Sequence, residues 1–166
     1  MESEKLPTLI IKSTITNFRQ NNWGDTNKEV IEKEGLDYRH NTDKILIYED
    51  KQIMGLNCNI SYSFKFSRLC YGSIDFKPNY KDLNEYVPLF YAIRESLTNS
   101  LGYPSGNESK WVNTRYKNMP KMIGHAISVG DYSLNTGWMS ETNHIFLILD
   151  NIEEPISLRL SAKIPS

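Results

Sequence analysis

One short segment of the chain combines cationic and aromatic side chains more densely than any other. It reads "SKWVNTRYKN", and with the lysine that follows it supplies five candidate ligand-binding residues: Trp111, Arg115, Tyr116, Lys117 and Lys121. Arginine and lysine can hold a phosphate group, and an aromatic ring can stack on a base. The segment therefore fits a site for a small phosphorylated, nucleotide-like ligand. It also fits a solvated connecting loop with Trp111 tucked beneath it, and the sequence leaves both interpretations open.

The histidines are the other residues whose spacing bears on chemistry. His125 and His144 both fall at the predicted starts of strands, where a pair could serve as base and acid of a phosphoesterase. That signature needs a hydroxyl residue two positions after each histidine, and the sequence has Ile127 and Phe146 there. We therefore interpret the histidines as ordinary surface or partly buried residues.

No other catalytic pattern is present, since G-x-S-x-G, G-x-G-x-x-G and P-loop motifs are all missing. Cys58 and Cys70 are predicted to be buried free thiols, and without a Cys-x-x-Cys pair neither indicates a metal site. Carboxylates near turns are interpreted as solvated residues at strand ends: Asp131, Asp150, Glu153 and Glu154. We expect a protein without enzymatic activity, cofactor or metal.

Composition narrows the class of partner. The 166 residues, 39% hydrophobic and 23% charged, predict a single compact domain over 1–166. A net charge of −1 argues against an extended nucleic acid or an anionic membrane as partner. The only early apolar run, Leu9 to Ile11, is too short for a secretory signal, so we expect a cytoplasmic protein.

The clearest local signal is the start of a helix in "NNWGDTNKEVIEKEG". Thr26 and Glu29 have the spacing of a capping box, in which each side chain binds the backbone N–H of the other residue. Gly35 can take the positive φ that ends a helix. A helix over about Asn27 to Glu34 is therefore predicted, and nothing in the stretch requires catalysis.

Alternating strands follow this helix, and the pattern then begins again. The first set comprises "KILIYED", "CNISYSFK" and "LCYGSIDF", with a tight turn near Phe66 to Arg68. A second helix begins near Pro88, with Phe90, Ile93 and Leu97 at helical spacing. The later predicted strands are "KWV", "HAISVG", "YSLNTGWM", "HIFLILD" and "ISLRLSAKI".

This order predicts an α+β fold, in which one or two antiparallel sheets are packed by two helices. A helix followed by three to five strands occurs twice, so we predict a tandem pseudo-repeat with halves of about 17–77 and 83–164. The last strand, residues 156–164, is predicted to be an exposed edge through which a homo-oligomer could form.

Four stretches together resemble a group of uncharacterised small bacterial and phage proteins. They are "WGDTNKEVIEKEG", "LIYEDKQIMGLNCNISYSF", "AIRESLTNSLGYPSG" and "ISVGDYSLNTGW". More distantly, the order is similar to β-lactamase inhibitor protein-like modules and small outer-membrane assembly lipoproteins, although those carry a helical pair before each sheet. The first resemblance brings no catalytic residues, and the second implies a binding surface without chemistry.

Two functions follow as expectations. The first is a non-enzymatic binding or inhibitory protein that holds a protein partner through its sheet face or loops. The alternative is a phage or prophage protein that sequesters a small phosphorylated signalling ligand with the basic loop; the composition, rich in Asn, Lys, Ile and Tyr, suits an AT-rich phage genome.

Overall fold

The computed structural model describes residues 17–153 and 155–165. Residues 1–16, with the predicted run Leu9 to Ile11, and Glu154 and Ser166 lie outside the described part. The helices are α1 (Asn27–Glu34), α2 (Tyr86–Leu101) and α3 (Ile123–Ser128), with 3₁₀ turns at Leu83–Glu85 and Pro120–Met122. The strands are β1 (Asn17–Phe18), β2 (Asn21–Asn22), β3 (His40–Asn41), β4 (Ile45–Ile53), β5 (Leu56–Lys65), β6 (Arg68–Phe76), β7 (Gly106–Trp111), β8 (Tyr132–Met139), β9 (His144–Asp150) and β10 (Ser157–Lys163).

Helix α1 has the predicted bounds because its start and stop are both encoded locally. The Glu29 N–H donates to the Thr26 hydroxyl at 3.3 Å, and the Thr26 N–H donates to the Glu29 carboxylate at 2.7 Å. Gly35 then leaves the helix at φ 110°, and its N–H still donates to the Ile31 carbonyl. The predicted capping box and glycine stop are confirmed.

The described part of the chain contains three helices, so the prediction of two was wrong. The segment "HAISVG", predicted as a strand, lies mostly in α3, where the adjacent residues Ala126 and Ile127 are both buried. Gly124 lies against the 3₁₀ turn, and a Cβ at this position would come within 2.3 Å of the Leu83 carbonyl carbon. Close packing with a distant segment thus selects a helix of only six residues.

Strands β3 to β10 form one eight-stranded antiparallel sheet in the order β3-β4-β5-β6-β10-β9-β8-β7. Each set of four strands is sequential, and the two sets meet where β10 pairs with β6. The predicted edge strand at 156–164 was therefore wrong, because β10 lies between β6 and β9. The described sheet ends instead at β3 and β7.

All three helices pack on one face of the sheet. That face carries the core residues in register across the strands, including Tyr48, Ile60, Ile74, Leu160 and Leu147. We call the opposite side the open face, because no described helix packs against it. The predicted α+β class with an antiparallel sheet is thus confirmed.

The hairpin between β5 and β6 turns where it was predicted. Phe66 and Ser67 have φ values of 50° and 59°, the conformation of a tight turn whose twist matches the strands. Further along β6, Gly72 faces the core, and a Cβ there would lie 2.1 Å from the Phe18 ring. Glycine therefore lets β1 pack closely on the sheet.

Candidate binding surface

The five predicted ligand-binding residues extend from the last residue of β7 to the 3₁₀ turn that precedes α3. Trp111 ends β7 and stacks on Tyr132 of β8, with ring centroids 4.3 Å apart and planes inclined by 28°. Tyr116 is half-buried and packs its edge against His125, 5.1 Å away. Both rings are thus already in contact with neighbouring rings of the protein.

Arg115 is also engaged within the chain. Its Nε donates to Asp131 Oδ2 at 2.6 Å, and its guanidinium lies over the Tyr116 ring, 5.0 Å from the centroid. This hydrogen bond to the carboxylate raises the pKa of Arg115. Asp131 is 6% exposed, so its interpretation as a solvated strand-end residue was wrong. A buried carboxylate requires a partner, and Arg115 provides it.

The remaining two cations point into solvent. Lys117 and Lys121 are exposed, and the Lys121 main-chain carbonyl accepts a hydrogen bond from Asn84 Nδ2 at 3.0 Å. A cavity of about 170 Å³ lies nearby between α2 and the β7–β8 pair, lined by Tyr91, Arg94 and Asn107 among others, and none of the five predicted residues lines it. Whether the loop binds a ligand stays a prediction.

The open face presents a row of small polar residues through the middle of the sheet. Direct pairing across β5, β6 and β10 aligns Ser61, Ser73 and Ser161. The row continues to Phe146 on β9 and to Gly137 on β8. Ser61 is half-buried, whereas Ser73 and Ser161 are only 4% and 6% exposed, so the middle of this row is largely closed to solvent.

A charged pair borders the serine row. Asp75 of β6 and Arg159 of β10 are direct partners, with Arg159 Nε 3.3 Å from Asp75 Oδ1. Burial raises the pKa of Asp75, and the Arg159 charge opposes this shift. Arg159 also donates to the Ser157 hydroxyl at 3.4 Å, while its buried Nε has no well-aligned hydrogen bond within the described part. The guanidinium is therefore held mainly by charge and keeps capacity to bind another group.

Apolar side chains flank these polar rows. Five of them are half-buried on the open face: Ile45, Ile47, Tyr71, Phe146 and Ile148. Among the described residues, none of these five belongs to the hydrophobic core or to the partly buried side chains packed against it. Lys163 lies over the Phe146 ring at 6.0 Å. Apolar and aromatic groups beside a row of serines and one arginine resemble the composition of protein interfaces.

The sequence carried a signal for this surface. The polar half of the alternation in β10, which includes Ser157, Arg159 and Ser161, was visible from spacing alone. What spacing could not show was that β10 lies beside β6, so that Arg159 meets Asp75 and Ser161 meets Ser73. The site residues on the open face were missed for that reason.

Other chemical groups lie apart from this surface. His144 begins β9 as predicted, whereas His125 lies in α3 and not at a strand start. Both cysteines are free thiols as predicted; Cys58 is buried as expected, but Cys70 is partly exposed, so its predicted burial was wrong. Burial raises the pKa of Cys58 to about 11. Within residues 17–153 and 155–165, no three His, Cys, Asp or Glu side chains come close enough to hold a metal ion.

Comparison with protein-family models, curated proteins and solved structures finds no match to this chain. No helix in the described ranges is both long and apolar enough to cross a membrane. The function proposed below therefore rests on the geometry of the chain alone.

Proposed function

We propose that the chain is a non-enzymatic binding or inhibitory protein that holds a protein partner against its open face. The observation that carries this proposal is the apolar set beside the serine row and the Asp75–Arg159 pair, which lies outside the hydrophobic core formed by the described residues. A surface of mixed aromatic, aliphatic and serine side chains with one arginine suits a protein better than a small ligand.

The order of the strands in the sheet supports a tandem pseudo-repeat of the chain. Each half consists of a helix followed by four sequential antiparallel strands, with α3 inserted after β7 in the second half. We propose that the halves near 17–77 and 83–164 are a pseudo-repeat whose last strands, β6 and β10, pair. The junction would then place Asp75 and Arg159 at the centre of the binding surface.

Substitution on the open face tests the proposal. Ser61→Arg places a long charged side chain in the serine row, while Ser100→Arg makes the same change on an exposed position of α2. We expect a specific protein from the source cells to bind the immobilised wild-type chain and the Ser100→Arg variant, and to bind Ser61→Arg at least about ten-fold more weakly in titration with the purified partner. Equal binding by both variants, with both folded by circular dichroism, would reject the open face as the site.

The alternative function, sequestering a small phosphorylated ligand, would use the loop from Trp111 to Lys121. Its support is the exposure of Lys117 and Lys121, which lie in the same loop as the half-buried Tyr116. Because Arg115 is paired with Asp131, the two lysines would carry the attraction for phosphate in this proposal.

A further inference from the structure

Strand β7 combines exposure with unused backbone hydrogen-bonding capacity. Within the described residues it pairs with β8 on one side and has no strand on the other. Five of its six residues are exposed, and the strand contains no proline. Such an edge is a template for pairing with a further strand.

The register of the β7–β8 pair shows which backbone groups face outward. The Val112 N–H donates to the Asp131 carbonyl at 2.8 Å, one step beyond the pair of Trp111 with Tyr132. Hydrogen-bonded and non-bonded pairs alternate along an antiparallel ladder, so Lys110 and Glu108 also bond to β8. The backbone groups of Asn107, Ser109 and Trp111 therefore point away from the sheet.

The charges on β7 distinguish the ways in which this edge can pair with itself. Outward-facing groups must meet outward-facing groups, so only shifts by whole two-residue steps are allowed. Antiparallel pairing centred on Ser109 sets Glu108 of each copy opposite Lys110 of the other copy. Pairing centred on Glu108 or on Lys110 would instead set like charges opposite each other, which is unfavourable.

We propose that two copies of this chain pair through β7, antiparallel and with a two-fold axis at Ser109. Ser109 then exchanges backbone hydrogen bonds with its own mate, and Asn107 does so with Trp111 of the second copy. The net charge of −1 per chain adds little repulsion between copies. The two sheets become continuous, and their open faces lie on the same side of the dimer.

Charge exchange tests the register in the full-length chain. Glu108→Lys puts lysine opposite lysine at both ends of the junction, and Lys110→Glu puts glutamate opposite glutamate. We expect each single variant to raise the dimer Kd by about ten-fold or more in sedimentation equilibrium, and the double variant to restore it, because the swap recreates both pairs. A wild-type chain that stays monomeric at about 1 mM would overturn the proposal, as would a dimer unaffected by either single change.

A proline substitution tests the backbone bonds separately from the charges. Ser109→Pro removes an N–H that makes no bond within the sheet, so the monomer should remain folded while the dimer is lost. Ser109→Ala keeps the N–H and should leave the dimer Kd within about two-fold of wild type. Loss of dimer in both variants, or in neither, would contradict the proposed junction.

Cross-linking identifies the two-fold axis directly. In a Cys70→Ser background, Ser109→Cys would place the two new thiols on Cα atoms about 5.5 Å apart, within the range of a disulfide. Lys110→Cys is the matched control, because its mate lies diagonally at about 7–8 Å. We expect oxidised dimer from Ser109→Cys alone, and preferential cross-linking through position 110 would reject the register.

Discussion

Two arginine–carboxylate pairs in this chain join residues at nearly the same sequence separation but differ in how deeply they are buried. Arg19 binds Glu34 across 15 residues, and Arg115 binds Asp131 across 16. Glu34 sits at the centre of a buried network, accepting from Arg19, Asn21 and Tyr62 at 3.2, 2.7 and 2.5 Å. Asp131 has a single side-chain partner in the described part, and the Arg115 side chain is 54% exposed.

The difference shows what each pair does for the protein. The Glu34 network fixes the end of α1 to β2 and β5, so it joins three elements through one carboxylate. The Arg115 contact fastens a surface loop to Asp131, the residue that directly precedes β8. An arginine in a basic, aromatic loop is therefore not by itself a free ligand-binding cation, because its partner can lie far along the chain.

The largest expected effect is at Glu34. Glu34→Ala leaves the Arg19 guanidinium and the Tyr62 and Asn21 donors without their shared acceptor. We expect a loss of about 3–5 kcal/mol in the free energy of unfolding, measured with urea. Glu32→Ala, on the exposed side of the same helix, should have a much smaller effect. Similar losses in the two variants would show that the network adds nothing beyond helix propensity.

The next largest effect is expected from alkaline pH, which should lower the free energy of unfolding through tyrosines of the same region. Burial raises the pKa of Tyr62, and the neighbouring Glu34 charge adds to the shift; burial also raises the pKa of Tyr48 to about 12. Because an unfolded tyrosine ionises near pH 10, the stabilising contribution is complete below about pH 10 and is lost as pH rises further. Urea unfolding between pH 9 and about pH 12 should show this fall in stability.

The variant Tyr48→Phe distinguishes the titration of Tyr48 from that of other groups at alkaline pH. The variant loses the hydrogen bond from the Tyr48 hydroxyl to the Gly35 carbonyl, 2.8 Å, but it should show a shallower fall in stability above pH 10. Tyr103→Phe is the matched control, since Tyr103 is 94% exposed and its loss should leave the slope unchanged. Equal slopes in all three proteins would mean that other groups cause the alkaline unfolding.

Local chemistry accounts for what the sequence could predict. Helix α1 was predicted to the residue because Thr26, Glu29 and Gly35 lie within ten positions and determine its ends themselves. The alternation of Cys58, Ile60, Tyr62 and Phe64 likewise predicted the buried side of β5. These elements need no information from distant residues.

The predictions of secondary structure and strand position that were wrong concern contacts between distant segments. The "HAISVG" segment is a helix because it packs against the 3₁₀ turn about forty residues earlier, and its own alternation gave the opposite indication. Strand β10 is central because β6 pairs with it, although its sequence resembles an edge strand with one wet face. Burial of Ser157 and Ser161 beside Leu158 and Leu160 marks its central place, which only the assembled sheet reveals.

A smaller effect is expected at Arg115. Arg115→Ala leaves the buried Asp131 carboxylate without its guanidinium, so the free energy of unfolding in urea should fall, but by less than in Glu34→Ala. Arg115→Lys keeps the charge and should recover part of the loss. A fall as large as that of Glu34→Ala would show that the loop pair is as structural as the network at α1, and the distinction between the two regions would fail.

The smallest effect on stability is expected for Lys117→Ala combined with Lys121→Ala. Both side chains are exposed, so urea unfolding should match the wild type. If the loop binds a nucleotide-like ligand, addition of a mixture of nucleoside phosphates should raise the melting temperature of the wild type but not of this variant. Since Arg115 stays with Asp131 in both proteins, the comparison isolates the exposed cations. A ligand-dependent rise that survives the double substitution would place the phosphate elsewhere, and no rise in either protein would favour the open face as the functional surface.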